Sequence, residues 1–198
     1  MLRHPKSLIP LVLALFVLAP AACSSQPAQE SPSDEKVAEA PKVPEGTPRV
    51  AAFSGVQKAE DAASGWREDA ELYAVASPAP EVDASGKSPG WLYTYVSKSA
   101  GAVASITVAG EKAKLAPEQE LPEDQVGDIS KNLLPSPEQL KDSSEAIQEA
   151  GKVREVLESD EDAKATAGLD SFSSEEPVWI FSTAQGDERV EQKIPADS

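Results

Sequence analysis

Histidine, cysteine and methionine occur once each, as His4, Cys23 and Met1, all within the first 23 residues. Beyond Cys23 the chain has no imidazole and no thiol. A Ser-His-Asp triad, a Cys-His dyad or a histidine base therefore cannot be assembled there, nor can a His/Cys zinc site or a haem axial pair. With one cysteine there is no intramolecular disulfide, so an exported fold must rest on its core and hydrogen bonds. What remains for catalysis is carboxylate, serine or lysine chemistry. Among 34 acidic residues, carboxylate pairs are available by number alone and do not point to a glycosidase.

The motifs that do carry chemistry by letter fail by context. Gly86-Lys87-Ser88 has the ending of a phosphate-binding loop, but Glu81 stands in the place of the first glycine and Pro89 opposes the helix that must follow. Residues 83–90 read instead as a hairpin loop. Ser33-Asp34-Glu35-Lys36 spells S-x-x-K in a Pro- and Ser-rich stretch without a fold. The run from Glu158 to Asp162 has oxygen ligands for calcium but lacks the glycine and closing glutamate of an EF-hand loop, so it reads as a solvated helix end. The expectation is no catalytic residue, no metal and no cofactor. Trp66, Trp91, Tyr93 and Tyr95 are the residues with binding chemistry left. They line a carbohydrate or peptide groove if exposed, and form core if strand alternation turns them inward.

These side chains need elements to hold them. Val50 to Ser64 is helix-compatible, and candidate strands follow at 70–76 and 90–96, with 100–110 as a hairpin partner. In the strand at 90–96 both faces carry bulk, so one of them is expected beneath a helix. The order then recurs. Asp142 and Glu145 cap a helix over 142–157 whose Ala146, Ile147, Ala150, Val153 and Leu157 share one face, with Gly151 as its weak point. After a poorly patterned stretch come a strand at 177–183, a turn at Gly186-Asp187 and a closing strand with Val190 and Ile194. Trp91 and Trp179 fall at equivalent places. The fold class expected is α+β, two helix-plus-antiparallel-hairpin units over 50–115 and 136–198. Between them, 116–135 is an acidic, proline-bearing linker.

The N-terminal region reads as an address. Arg3 and Lys6 precede an apolar run from Leu8 to Leu18, and Ala19-Pro20-Ala21-Ala22 leads into Cys23. This resembles the signal of bacterial lipoproteins, which implies removal of residues 1–22, acylation of Cys23 and a lipid anchor in the cell envelope. Pro20 stands where that family usually has Leu. Ala19-Pro20-Ala21 also fits an ordinary signal-peptidase site, which would release a soluble secreted protein. The apolar run is too short for a bilayer-spanning helix. From Cys23 to Arg49 the chain is rich in Pro, Ser, Glu and Ala with no aromatic residue, a disordered tether. At about 3.1 Å per residue when extended, it reaches up to roughly 80 Å.

Net charge is −16, and −18 once Arg3 and Lys6 are removed. Such a chain is repelled by phosphate backbones, so nucleic acid is not an expected partner. A cationic peptide or patch complements it better.

One helix followed by antiparallel strands, twice over, is similar to tandem cystatin-like units of the PepSY type found in exported bacterial lipoproteins. The residues carrying the likeness are the helix start at Ala146-Ile147, Trp179, and the closing strand from Val190 to Asp197, though Ser198 follows where that family has Thr-Gly. The resemblance implies a non-catalytic role in inhibition, binding or envelope assembly. The expected function is thus an anchored binding module for an exported protein or peptide, acting through a strand edge or aromatic groove. A hydrolase using carboxylate, Ser or Lys chemistry is the alternative.

Overall fold

Strand alternation and the capped helix start at Asp142 build much of this molecule. The computed structural model describes residues 43–198 except 130, 173 and 175, so the expected signal segment, Cys23 and most of the tether lie outside the described residues. A 3₁₀ turn at Ala52–Gly55 leads into α1 (Val56–Trp66), then β1 (Ala70–Ala76), β2 (Trp91–Ser97), β3 (Ala102–Ala109), β4 (Lys112–Leu115), β5 (Gln119–Glu120) and α2 (Glu123–Ile129). The second half runs α3 (Ser143–Glu149), α4 (Gly151–Ser159), β6 (Ala165–Asp170), β7 (Val178–Gln185) and β8 (Glu188–Pro195).

All eight strands form one antiparallel sheet in the order β4-β3-β2-β1-β6-β7-β8, with β5 added to β3. The halves meet at the middle, where Val75 pairs with Leu169 and Ala76 with Gly168. They therefore share a continuous sheet, each contributing a helical segment and then three consecutive antiparallel strands. β6 is the first strand of the second set and lies in the stretch whose sequence pattern is poorest.

The tryptophans show how closely the halves correspond. Trp91 Nε1 donates to the Val50 carbonyl at 2.9 Å, and Trp179 Nε1 donates to the Lys141 carbonyl at 2.8 Å. Each acceptor lies two residues before the helical segment that leads toward the strands of its half, which starts at Ala52 in the first and at Ser143 in the second. The rings meet edge to face at 6.1 Å, and Phe181 stacks on Trp179 at 5.7 Å. Both are essentially unexposed. Around them pack Tyr93, Ile106, Ile147, Val153 and Leu169, forming a single core between the sheet and α1, α3 and α4.

The expected helix over 142–157 is two helices. Asp142 and Glu145 form a capping box at the start of α3, but Ala150 leaves the helical region with φ −82° and ψ 58° immediately before Gly151. Gln192 of β8 accepts a hydrogen bond from the Val153 amide at 3.0 Å, satisfying one donor that the break leaves without a helical carbonyl. The same N-terminus joins the halves. Asp142 accepts from the Phe53 amide at 3.0 Å, while Ser143 Oγ accepts from the Ala52 amide at 2.9 Å and donates to the Gly86 carbonyl at 2.7 Å.

The segment expected as a linker is partly built into the fold. It holds β5 and α2, and beyond them the Leu134 amide bonds the Leu72 carbonyl at 3.0 Å with Leu134 itself buried. Pro117, Glu118, Glu120, Pro122, Asp124 and Asp128 are exposed, as composition suggests, but the buried Ile129 and Leu134 anchor the segment.

Candidate functional site

Because neighbouring residues of a strand point to opposite faces, the inward set fixes the outward one. In β2, Trp91, Tyr93 and Tyr95 face the helices, which leaves Leu92, Thr94 and Val96 on the outer face, the one turned away from α1, α3 and α4. The register carries this across the sheet: Thr94 sits opposite Ser105 of β3 and Ala74 of β1, and Leu92 opposite Thr107 and Ala76. Thr166 and Gly168 of β6 continue the surface, paired with Ser182 and Ile180 of β7. Its floor is made of small, hydroxyl-bearing and aliphatic side chains; Leu92, Thr94, Ser105, Thr166 and Gly168 are partly exposed, while Val96, Thr107 and Ser182 are buried. A Cβ added at Gly168, in the middle of the sheet, meets no atom within 4 Å.

Charge is divided unevenly between this face and the rest. Lys112 and Lys114 of β4 and Arg189, Glu191 and Lys193 of β8 project from it, by their pairing with Ala109, Thr107, Ala184, Ser182 and Ile180. Glu71 and Asp170 lie on it as well, and Lys98 reaches Glu71 at 2.6 Å. That makes five cations and three anions, whereas the other described side chains include nine Lys or Arg and 25 Asp or Glu. At the end of the β1–β6 seam, Tyr73 and Phe172 stack at 5.6 Å, with Phe172 46% exposed. Burial and the neighbouring Asp170 carboxylate raise the Tyr73 pKa.

The aromatic groove considered from sequence does not form. Trp91, Tyr93 and Tyr95 are buried beneath the helices, and the Tyr93 hydroxyl donates to the Ala52 carbonyl. Burial raises the pKa of both tyrosines, so neither is an acid or base near neutrality. The Tyr95 hydroxyl is enclosed without a hydrogen-bond partner among the described residues. Trp66 is partly exposed, but its Nε1 donates to Glu118 at 2.7 Å. Arg67 lies over its ring at 5.3 Å and reaches the same carboxylate at 2.8 Å. This cluster holds the segment before β5 against the end of α1.

The other chemical candidates resolve into local structure. Asp83 Oδ1 accepts from the Ser85 amide at 2.9 Å and the Lys87 amide at 3.2 Å, so residues 83–87 form a turn rather than an anion cradle. In the acidic run, Glu158 pairs with Arg154 at 3.2 Å and Asp160 accepts from the Asp162 amide at 3.0 Å. Among the described residues no group of three or more His, Cys, Asp or Glu side chains could hold a metal. A shallow surface depression beside the β2–β3 turn brings Lys98 and Ser99 together with Glu120 and Leu121. There the Lys98 ammonium is held by Glu71, and the carboxylate beside Ser99 is Asp69, whose hydrogen bonds lower its pKa to about 2 and make it a poor general base.

Sequence reasoning counts the residues between the aromatics of β2 as bulk on a second face, but does not read that face as a binding surface. The signal was present in Thr94, Ser105 and Thr107, small hydroxyl-bearing residues that bury little apolar area. No protein-family model, curated protein or solved structure matches this chain.

Proposed function

We propose that this chain is a non-catalytic binding module of the bacterial cell envelope, anchored through Cys23 and presenting the outer face of its sheet to an exported protein. The observation that carries the reading is the open space above Gly168. A sheet face spanning seven strands, small at its centre and without α1, α3 or α4 upon it, is a surface on which another protein can seat. The tether between Cys23 and Arg49 supplies reach from the membrane. No described helix is long and apolar enough to cross a membrane. Helix-then-strand order in both halves, with Trp91 and Trp179 in matching roles, favours the tandem cystatin-like, PepSY-type reading and the inhibitory or assembly role it implies.

The test is photo-crosslinking in intact cells from an unnatural residue at Thr94 or Ser105, with Lys152 on α4 as the control position. A discrete adduct from the first two and none from Lys152 is expected. Equal adducts from all three positions, or none from Thr94 and Ser105, would defeat the binding-face reading. Cys23→Ala is expected to move the protein from the detergent phase to the aqueous phase, and identical partitioning of the two would remove the anchor.

A further inference from the structure

We infer that the partner seated on the outer face is a protein surface with an apolar centre and acidic flanks. The inference rests on the binding reading above and adds the chemistry of the partner. Lys112 and Lys114 stand at one edge of the sheet and Lys193 at the other, all three exposed and with no ion pair among the described residues. Lys98 and Arg189, by contrast, are neutralised by Glu71 and Glu191 at 2.6 and 2.9 Å. The unneutralised cations of this face thus sit at its two margins and frame a floor of Ala74, Thr94, Thr166 and Gly168, with Glu71 and Asp170 at one end of the central strands.

That placement runs against the molecule's overall charge. An acidic partner is repelled by the surface whose described side chains hold 25 acids to nine bases, and is attracted only to the face where cations outnumber anions. The edge strands carrying the lysines are six strand intervals apart, roughly 29 Å at about 4.8 Å each. This is close to the width of an interface patch of about 800 Å². Apolar contacts in the middle with charge pairs at the rim is the usual anatomy of such a patch. A plane of anionic lipid headgroups fits less well, since it would lay phosphates over the floor of Ala74, Thr94 and Gly168, which offers them no cation.

The test pans the full chain against a displayed library of short random peptides. Wild type, the Lys112→Glu/Lys114→Glu/Lys193→Glu variant and Gly168→Arg serve as separate baits, and phosphatidylglycerol vesicles as a second probe. Wild type is expected to enrich peptides with acidic residues flanking apolar ones. The triple variant is expected to lose them by about tenfold, and Gly168→Arg to lose them as well. The three lysines are exposed, so the triple variant is expected to melt with the wild type, which separates charge from folding. Enrichment of neutral or basic peptides, abolished by Gly168→Arg, would keep the binding face and overturn the acidic partner. No enrichment by any bait would overturn both. Vesicle binding lost in the triple variant, without acidic peptides, would overturn the inference in favour of a membrane surface.

Discussion

The two faces of one sheet are built from the same strands and have opposite compositions. Inward, β2 and β7 place Trp91, Tyr93, Tyr95, Trp179 and Phe181, and the helices close over them. Outward, the same strands place Leu92, Thr94, Ile180 and Ser182, which no large aromatic accompanies. Large rings belong where their area leaves water, and they dominate the energetics of a small core. Small and hydroxyl-bearing residues add little by burial, so a sheet face made of them lacks the drive to gather its own cover. The difference separates what holds this fold together from what it can offer to a partner.

The largest expected effect sharpens the comparison on the covered face. Trp179→Ala or Trp91→Ala removes a ring from the shared core and an indole donor from a backbone carbonyl, and each is expected to cost about 3–5 kcal/mol. Because β1 and β6 join the halves, both variants are expected to lower a single denaturant transition rather than the transition of one half. Two separable transitions would break the one-sheet account.

Gly86→Ala comes next. Gly86 has φ +74°, and a Cβ there runs into the Ser143 carbonyl at the α3 N-terminus. A loss of about 1–3 kcal/mol is expected by thermal melting, and a neutral substitution would mean that this contact does not hold the halves together. On the outer face, Thr94→Arg is expected to leave stability within about 0.5 kcal/mol while abolishing the Ser105 crosslink. Destabilisation comparable to a tryptophan truncation would show that the face is core after all.

The smallest effect is an acid-dependent one at the β2–β3 turn. Asp69 accepts hydrogen bonds from the Ser97 hydroxyl at 2.7 Å and the Ser99 amide at 2.8 Å, which lower its pKa from 3.8 to about 2. A depressed carboxylate stabilises the fold fully above its unfolded value, and that contribution is lost as pH falls from about 3.8 through about 2. The stability gap between wild type and Asp69→Asn is therefore expected to be constant above this window and to close within it. A gap that persists unchanged at the acid end would contradict the assignment.

The covered face was legible from the sequence because alternation and capping are local signals. Trp91, Tyr93 and Tyr95 at every second position announce an inward set, and Asp142 with Glu145 announces a helix start. The joining of the halves was not legible. It depends on β6, whose Ala165, Ala167 and Leu169 alternate inward but whose alanines and Gly168 have weak strand preference. Its role follows from pairing with β1, a tertiary fact that no local pattern encodes. The break at Ala150 was half legible, since Gly151 marks the weak point while the compensating Gln192 lies on a strand more than 30 residues away. The outer face escaped notice for a related reason: a binding surface of small residues has no motif, and only the register of seven strands assembles it.

The claim that the outer face is open by construction and covered by a partner can be measured by thiol accessibility. Single Thr94→Cys, Ser105→Cys and Thr166→Cys variants are labelled with a maleimide as purified protein and in intact envelopes, with Ser64→Cys on α1 as reference and the parent chain, whose one cysteine is Cys23, as the background control. The account predicts rapid labelling of all four when purified, and selective protection of the three outer-face positions in the envelope. Slow labelling of those three in the purified protein, or labelling in the envelope as fast as at Ser64→Cys, would contradict it.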